Sequence, residues 1–322
     1  NTLTWGIDNR TDLVDVTNSD PPLLTRDRVN SSIIGFYLQD EWRFADRWTL
    51  NLGGRVDYEF YTGWEPSARA ALSYEPTDNT MLYGAISRAF TVPPAGQRFL
   101  NFYALNGLNR TTVDRDIGFE RVIAYETGFR GQFWDKLDLS LNLYWHEYSD
   151  ISEFADAEPI GSEWFHSHIY SDRIDYSAYG AELGLEYQFN DRLRLLGNYT
   201  FEQLDWRNER PITVAADGIH PPKHKFMLGA EYDPWDDLHL SSYLYYVDTT
   251  RTPYPTLPIF DRQLSPYFKL DLRAEYELWE DGSVAVGVRN LLDEGHLEGG
   301  SSFMDAGEVP RLIYAELRMA FK

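Results

Sequence analysis

The feature that most constrains this chain is an alternation of apolar and polar residues with a period of two, repeated in segment after segment. Phe268, Leu270, Leu272, Ala274, Tyr276 and Leu278 alternate with Lys269, Asp271, Arg273, Glu275 and Glu277. Successive side chains of a strand point to opposite faces, so this segment reads as a strand with one oily side and one wet side. Wound as a helix, the same apolar residues would scatter around the whole circumference. The pattern recurs in Leu137, Leu139, Leu141, Leu143 and Trp145 against Asp138, Ser140, Asn142, Tyr144 and His146. It recurs again in Tyr179 to Phe189, with Glu182, Glu186 and Gln188 on the polar face, and in Trp48, Leu50, Leu52, Val56 and Tyr58.

Counted along the chain, such segments predict about fourteen strands, near residues 2–10, 32–44, 48–61, 67–76, 80–91, 120–134, 137–149, 175–189, 193–206, 223–233, 238–248, 267–280, 283–292 and 310–321. Ten residues of strand tilted by about 40° span roughly 25 Å, the height of the apolar band of an outer-membrane barrel. The connections alternate in length. One set is tight and rich in Asp, Asn and Gly: 45–47, 77–79, 135–136, 190–192, 234–237 and 281–282. The other set, 11–31, 92–119, 150–174, 207–222, 249–266 and 293–309, is long, with 62–66 its one short member. A soluble sandwich has no reason to keep its long loops at one end, whereas membrane barrels pair short periplasmic turns with long external loops. By this parity the first strand runs outward and the last ends in the periplasm. No linker or second domain is read.

Composition agrees with a barrel. No apolar run approaches the roughly 18 to 20 residues that a membrane-crossing helix needs. Aromatic residues make up 16% of the chain, with 22 Tyr, 18 Phe and 10 Trp, as expected where Tyr, Trp and Phe ring both membrane interfaces. There is no cysteine, which excludes a zinc-thiolate site, a disulfide framework and thiol catalysis. The net charge of −22 repels phosphate backbones, so nucleic acid is set aside as a partner. Residues Asn1 to Arg10 carry neither the basic start nor the apolar core of a signal peptide, so the chain is expected to be a mature fragment or the later part of a longer polypeptide.

Several stretches resemble the later strands of TonB-dependent receptors, the plugged transporters of the bacterial outer membrane. "GFYLQDEWRFADRWTLNLGGRVDYE" (35–59) is similar to the family's hairpin of an aromatic strand, a tight turn and a glycine–arginine strand. "LYGAISRAFTVPP" (82–94) resembles the strand that enters a long external loop through Ser-Arg-x-Phe and proline. "ERVIAYETGFRGQF" (120–133) followed by "LDLSLNLYWHEYSDI" (137–151) resembles another of its hairpins. "VAVGVRNLLDEGH" (284–296) and "VPRLIYAELRMAF" (309–321) look like its penultimate and final strands. The resemblance implies an all-β antiparallel transmembrane barrel of about 22 strands, of which residues 1–322 are expected to form the C-terminal part. The plug domain, the segment that contacts TonB and the early strands have no counterpart in these residues. One departure is the end of the chain, Phe321-Lys322, where the family usually places the aromatic residue last.

The resemblance also implies the function: an outer-membrane receptor that takes up a scarce ligand such as an iron–siderophore complex or vitamin B12. Its partners would be the small-molecule ligand, outer-membrane lipid and lipopolysaccharide, and the inner-membrane TonB energy-coupling complex, reached through the N-terminal part. Energised uptake by residues 1–322 alone is not expected. The alternative is a structural or interaction barrel within an outer-membrane assembly. An enzyme is not expected, since no nucleophile–base pair can be placed, and no cofactor or metal site is read.

Ligand contacts, if the receptor reading holds, belong on the external loops. Trp164, His166 and His168 in "EWFHSHIY" (163–170) are candidates, although two histidines at i and i+2 make only a partial metal site and a solvated loop is the plainer reading. Arg110 and Arg115, with Arg121, suit an anionic ligand or a lipopolysaccharide phosphate. The plainer reading pairs these arginines with Asp114, Asp116 and Glu120. Tyr254 in the stiff "PYPTLP" (253–258) is a further candidate. On the wet face, Arg55, Arg69, Arg130, Arg194, Arg273 and Arg318 are expected to pair with Asp57, Glu126, Glu182, Glu186, Asp271 and Glu316.

Overall fold

A computed structural model describes residues 1–17, 24–99, 101–104, 109–113, 117–156, 167–207, 221–252, 262–279, 281–293, 295–298 and 307–320. The chain opens with β1 (Thr2–Asp15), β2 (Arg28–Ala45), β3 (Trp48–Glu59), β4 (Gly63–Thr77) and β5 (Thr80–Thr91). A five-residue helix α1 (Ala95–Phe99) and two short strands, β6 (Asn101–Ala104) and β7 (Asn109–Val113), follow. Then come β8 (Glu120–Phe133), β9 (Leu137–Asp156), β10 (Ser167–Asn190), β11 (Leu193–Trp206), β12 (His224–Trp235) and β13 (Leu238–Val247). The last elements are β14 (Thr250–Thr252), β15 (Arg262–Leu264), β16 (Tyr267–Trp279), β17 (Gly282–Arg289) and β18 (Leu312–Met319).

Each of the fourteen expected strands is present, and they join in sequence order into one antiparallel sheet whose path runs from β1 to β18. β1 and β18 are the two edges of that path, and the sheet is open between them among the described residues. The tight turns fall where Asp and Asn were read as turn residues. In the β8–β9 hairpin, Trp134 and Asp135 both take positive φ, 55° and 54°, and the Lys136 amide donates to the Phe133 carbonyl at 3.1 Å. Two consecutive left-handed residues match the right-handed twist of the flanking strands. At the short external β3–β4 turn, Gly63 has φ 87°, a conformation that a side chain resists.

The structure differs from the expectation beyond the membrane band. β1, β2, β9 and β10 run on past their expected ends, and the long connections at 92–119 and 249–266 hold α1 and the short strands β6, β7, β14 and β15. Period-two patterning is legible only where one face meets lipid. Above the band both faces are wet, and strands there leave no apolar alternation to read.

The outward face is apolar and open. Leu183 is 40% exposed, Leu143 44%, Ile86 46% and Phe36 45%, as lipid-facing side chains of a barrel wall are. Two aromatic belts bound this face. Near the external end Trp145 stacks on Tyr179 at 5.0 Å, Tyr58 meets Trp64 at 5.0 Å, and Phe226 meets Tyr246 at 5.3 Å. Near the tight turns Trp42, Phe44, Trp48 and Tyr74 form a chain of ring contacts, with Trp48 stacked on Tyr74 at 4.3 Å. Amphipathic rings at the two interfaces fix the height of a barrel wall.

On the inward face tyrosines lie flat over glycines of the neighbouring strand. Tyr37 covers Gly6, Tyr83 covers Gly128, Tyr144 covers Gly180, Tyr243 covers Gly229 and Tyr314 covers Gly287, each directly opposite in the register. A Cβ at Gly180 would come within 2.5 Å of the Tyr144 hydroxyl and 2.2 Å of the Phe201 carbonyl, so only glycine leaves room for the ring. Tyr83 and Tyr144 also reach a third strand, through hydrogen bonds from their hydroxyls to Asn142 at 2.8 Å and Glu202 at 3.1 Å.

Candidate functional site

The inward face carries the charge that the sequence placed there. Arg55 on β3 donates from Nε to Asp57 at 2.7 Å and reaches Asp8 on β1 at 2.9 Å. Arg194 bridges Glu186 and Glu231 at 3.0 and 2.8 Å, Arg318 meets Glu316 at 3.0 Å, and Arg69 approaches Glu126 at 3.8 Å. Arg273 binds Glu275 and lies 3.7 Å from Glu316. Two expected acids take other donors: Asp271 accepts the Asn290 amide at 2.9 Å, and Glu182 accepts the Asn142 side chain at 3.5 Å.

At the external end of this face, chain segments beyond the barrel strands fold back onto the wall. The first contact centres on Glu59, which is fully buried at the end of β3. Its carboxylate accepts from the Ser31 hydroxyl at 2.7 Å, from the Tyr61 and Thr62 amides at 2.9 Å and from the Thr62 hydroxyl at 2.8 Å. Arg98 of α1 adds a fifth donor, Nη1, at 3.0 Å. A buried carboxylate is tolerated when its lone pairs are filled in this way. The Thr25 amide bonds the Phe99 carbonyl at 2.7 Å, and Arg26 lies over the Phe99 ring at 4.8 Å, so the β1–β2 segment is tied to α1 as well.

The second contact is in the β17–β18 segment. His296 is buried and stacks on Tyr267 of β16 at 3.9 Å, while Glu298 meets both His296 and Lys269 at 3.2 Å. Partial burial pushes the Glu298 carboxyl up, but the hydrogen bonds from His296 and Lys269 outweigh it and hold the group below its usual range.

Between these two contacts lies an aromatic strip. Tyr144 and His146 on β9 are 4.9 Å apart, Tyr148 stacks on Tyr176 of β10 at 4.5 Å, and Tyr176 meets Trp206 of β11 at 4.9 Å. Glu202 and Glu126 border the strip, Glu126 lying 3.8 Å from His146. Such a surface offers ring faces and acceptor oxygens to a planar or polar ligand. Among the described residues, no three His, Asp or Glu side chains converge as a metal site.

Of the candidates read from the sequence, Arg115, Trp164, His166 and Tyr254 lie outside the described residues. Arg110 and His168 are described by their backbones alone. The parallel pairing of β7 with β10 sets Arg110 opposite Ser167 and Thr111 opposite His168, so the topology brings these two candidate segments side by side. Of the partners expected for Arg121, Asp114 and Asp116 lie outside the described residues and Glu120 does not pair with it. Arg121 forks onto Glu65 with two contacts of 3.0 Å and also binds Asp150, whereas Glu120 accepts the Ser152 amide at 3.0 Å. Adjacent strand residues point to opposite faces, which keeps Glu120 away from Arg121. Sequence reading also missed Glu59, Arg98, Tyr148, Tyr176 and Trp206. Tyr144 and His146 did give a signal, as rings standing on the wet side of their strand.

The family profile described as "TonB dependent receptor-like, beta-barrel" matches residues 1–291. The chain belongs to the TonB-dependent receptor family. It is therefore an outer-membrane barrel protein of a receptor class, and its open sheet is a stretch of receptor wall. Among curated relatives, the iron-regulated outer membrane virulence protein of Vibrio cholerae is 21% identical over 318 residues, covering 94% of this chain and 48% of the relative. The chain thus spans about half the length of the curated relatives it matches. Among solved structures, the ferric enterobactin receptor of Pseudomonas aeruginosa superposes with a TM-score of 0.72 at 19% identity, covering 99% of this chain and 50% of that one. The siderophore receptor of Acinetobacter baumannii gives 0.73 at 18% identity, covering 99% and 51%. At these identities the solved structures establish the shared fold.

Proposed function

We propose that this chain forms the later wall of a larger receptor barrel that captures a scarce iron–siderophore complex outside the cell and passes it inward with energy from TonB. The observation that carries the reading is the pair of contacts, Glu59 with Arg98 and the His296–Glu298 segment with Tyr267 and Lys269, that hold chain segments inward over an aromatic and charged wall. A structural barrel has no need to bring its external segments back over the lumen, whereas a receptor that must enclose a small molecule does. The names of the relatives favour an iron chelate over vitamin B12. The half coverage and the open sheet support a barrel completed by further strands, and coupling to TonB would run through an N-terminal part.

The test is uptake of radiolabelled ferric siderophores by iron-starved cells that lack their own receptors and carry the gene for this protein. Saturable uptake that vanishes when TonB is deleted supports the proposal. Uptake of no ferric chelate, with the protein folded in the outer membrane, refutes it and favours the interaction barrel.

A further inference from the structure

The aromatic strip on β9 to β11 holds acids that the wall leaves without a counter-charge. Tyr148, Tyr176 and Trp206 stand in one row across the three strands, each directly opposite the next in the register. Two residues nearer the membrane, His146, Ala178 and Leu204 form the next row. Below that row Tyr144 lies flat over Gly180, with its hydroxyl donating to Glu202 Oε2 at 3.1 Å. The other oxygen, Glu202 Oε1, accepts no hydrogen bond and is open to solvent. Lys223 and Lys225 lie on the neighbouring strand, yet Glu202 makes no ion pair among the described residues.

Other cations at this end of the wall are bound elsewhere. Arg121 is held by Glu65 and Asp150, Arg88 by Glu65, Arg98 by Glu59 and Lys269 by Glu298. Glu120 and Glu182 border the strip and, among the described residues, bond only the Ser152 amide and the Asn142 side chain. Their charge is felt above the outer belt. Burial, and after it Glu202, pushes the Tyr148 hydroxyl up. Burial, and after it Tyr148, Glu120 and Glu202, pushes Tyr176 up to about 12. A ring face carries the negative part of the aromatic quadrupole, so it attracts a cation, and a carboxylate beside it adds to the pull.

We propose that the strip binds an organic cation, an ammonium group set against Glu202 Oε1 with its substituents on the rings of Tyr144, Tyr148 and Tyr176. The assignment rests on the receptor reading and narrows it: the captured compound presents a positively charged amine to this part of the wall. A bare metal ion fits the place poorly, because it demands several oxygen ligands where the strip offers rings. An anion would meet Glu202, Glu182 and Glu120. Glu202 then has two tasks, fixing Tyr144 through Oε2 and reading the ligand's charge through Oε1.

The probe is choline, with dimethylbutanol as its carbon isostere without the charge, titrated into the full chain in maltoside micelles by ligand-observed NMR. Choline should bind saturably, and the isostere at least tenfold more weakly. Glu202→Gln keeps the volume and an acceptor for Tyr144 but removes the charge, and should weaken choline about tenfold. Tyr176→Phe keeps the ring and should bind as the parent does, whereas Tyr176→Leu should weaken choline several-fold. Each variant is checked for an unchanged circular dichroism spectrum and heat-modifiable mobility, and the isostere comparison on the parent needs no variant at all. Parent affinity in Glu202→Gln or Tyr176→Leu, equal binding of the isostere, or no saturable choline binding by the parent overturns the site. Failure of ferric-chelate uptake with choline binding intact overturns the receptor reading and leaves the site standing.

Discussion

A charge placed on the outward face at Leu183 tests the membrane assignment most directly. On β10, the outer aromatic belt is marked by Tyr179, which stacks on Trp145, and the inner belt by Phe189, which meets Tyr187 at 6.2 Å. The ten residue steps from Tyr179 to Phe189 climb about 25 Å of bilayer at a tilt of about 40°. Leu183, four residues below Tyr179, therefore sits about 10 Å under the outer belt, close to the midplane. It is 40% exposed and pairs with Leu141 of β9, so no inward partner could receive a charge there. Leu183→Arg should cost about 2–4 kcal/mol, a fall of roughly 30- to 800-fold in the folding equilibrium. Asn198, on the inward face opposite Gly184, is the control, because an added arginine there meets water and neighbouring acids. Guanidinium titration of protein folded into short-chain lipid vesicles reads both variants. An equal cost at the two positions would show that β10 has no lipid side, and the face assignment of the whole sheet would fall with it.

Glu59→Ala should release α1, and trypsin should then cut after Arg98 under native conditions at a rate at least tenfold above the parent; an unchanged rate would mean that the buried contact does not hold the segment. Gly180→Ala should cost several times more stability than Gly53→Ala, because a Cβ meets the Phe201 carbonyl at 2.2 Å in the first case and nothing within 4 Å in the second; matched denaturant midpoints would refute this. Epitopes inserted after Thr249 should be labelled on intact cells and those after Asp135 only after permeabilisation, and the reverse result would invert the topology. Glu298 is held below its usual range, so its contribution is present above the unfolded value of 4.5 and is lost as pH falls through the lower folded value. Protection of the 295–298 amides, taken relative to their intrinsic exchange rates, should fall on acidification through that window, and a flat protection profile from pH 7 to 3 would contradict it.

How much was legible in the sequence follows from what shaped it. Lipid forces every second residue of a strand to be apolar, so the strands and the two faces could be read from Leu137 to His146 alone. The tight turns were legible from their Asp and Asn residues. The external segments answer to no such rule, and β6, β7, β14 and β15 left no periodic trace. Contacts between distant segments were invisible for a different reason. Glu59 and Arg98 are 39 residues apart, and nothing local marks an acid at a strand end as the anchor of a later loop. The pairing of Arg121 with Glu65 was missed because acids close in sequence were preferred over one that folding brings near.

The tyrosines lying over glycines bear on how such a wall is assembled. A tight turn sets the register of the strands it joins, but a long loop leaves them free to slide. Tyr37–Gly6, Tyr83–Gly128, Tyr144–Gly180 and Tyr314–Gly287 all fall on seams closed by long external segments; only Tyr243–Gly229 lies beside a tight turn. A slip of two residues keeps each side chain on its proper face yet drives the ring into a neighbour that has a Cβ. The flat rings therefore act as keys cut for one alignment, placed where the turns cannot do the aligning. A strand that docks out of step meets a steric stop before its hydrogen bonds can zip, and the error is refused at the seam where it arises.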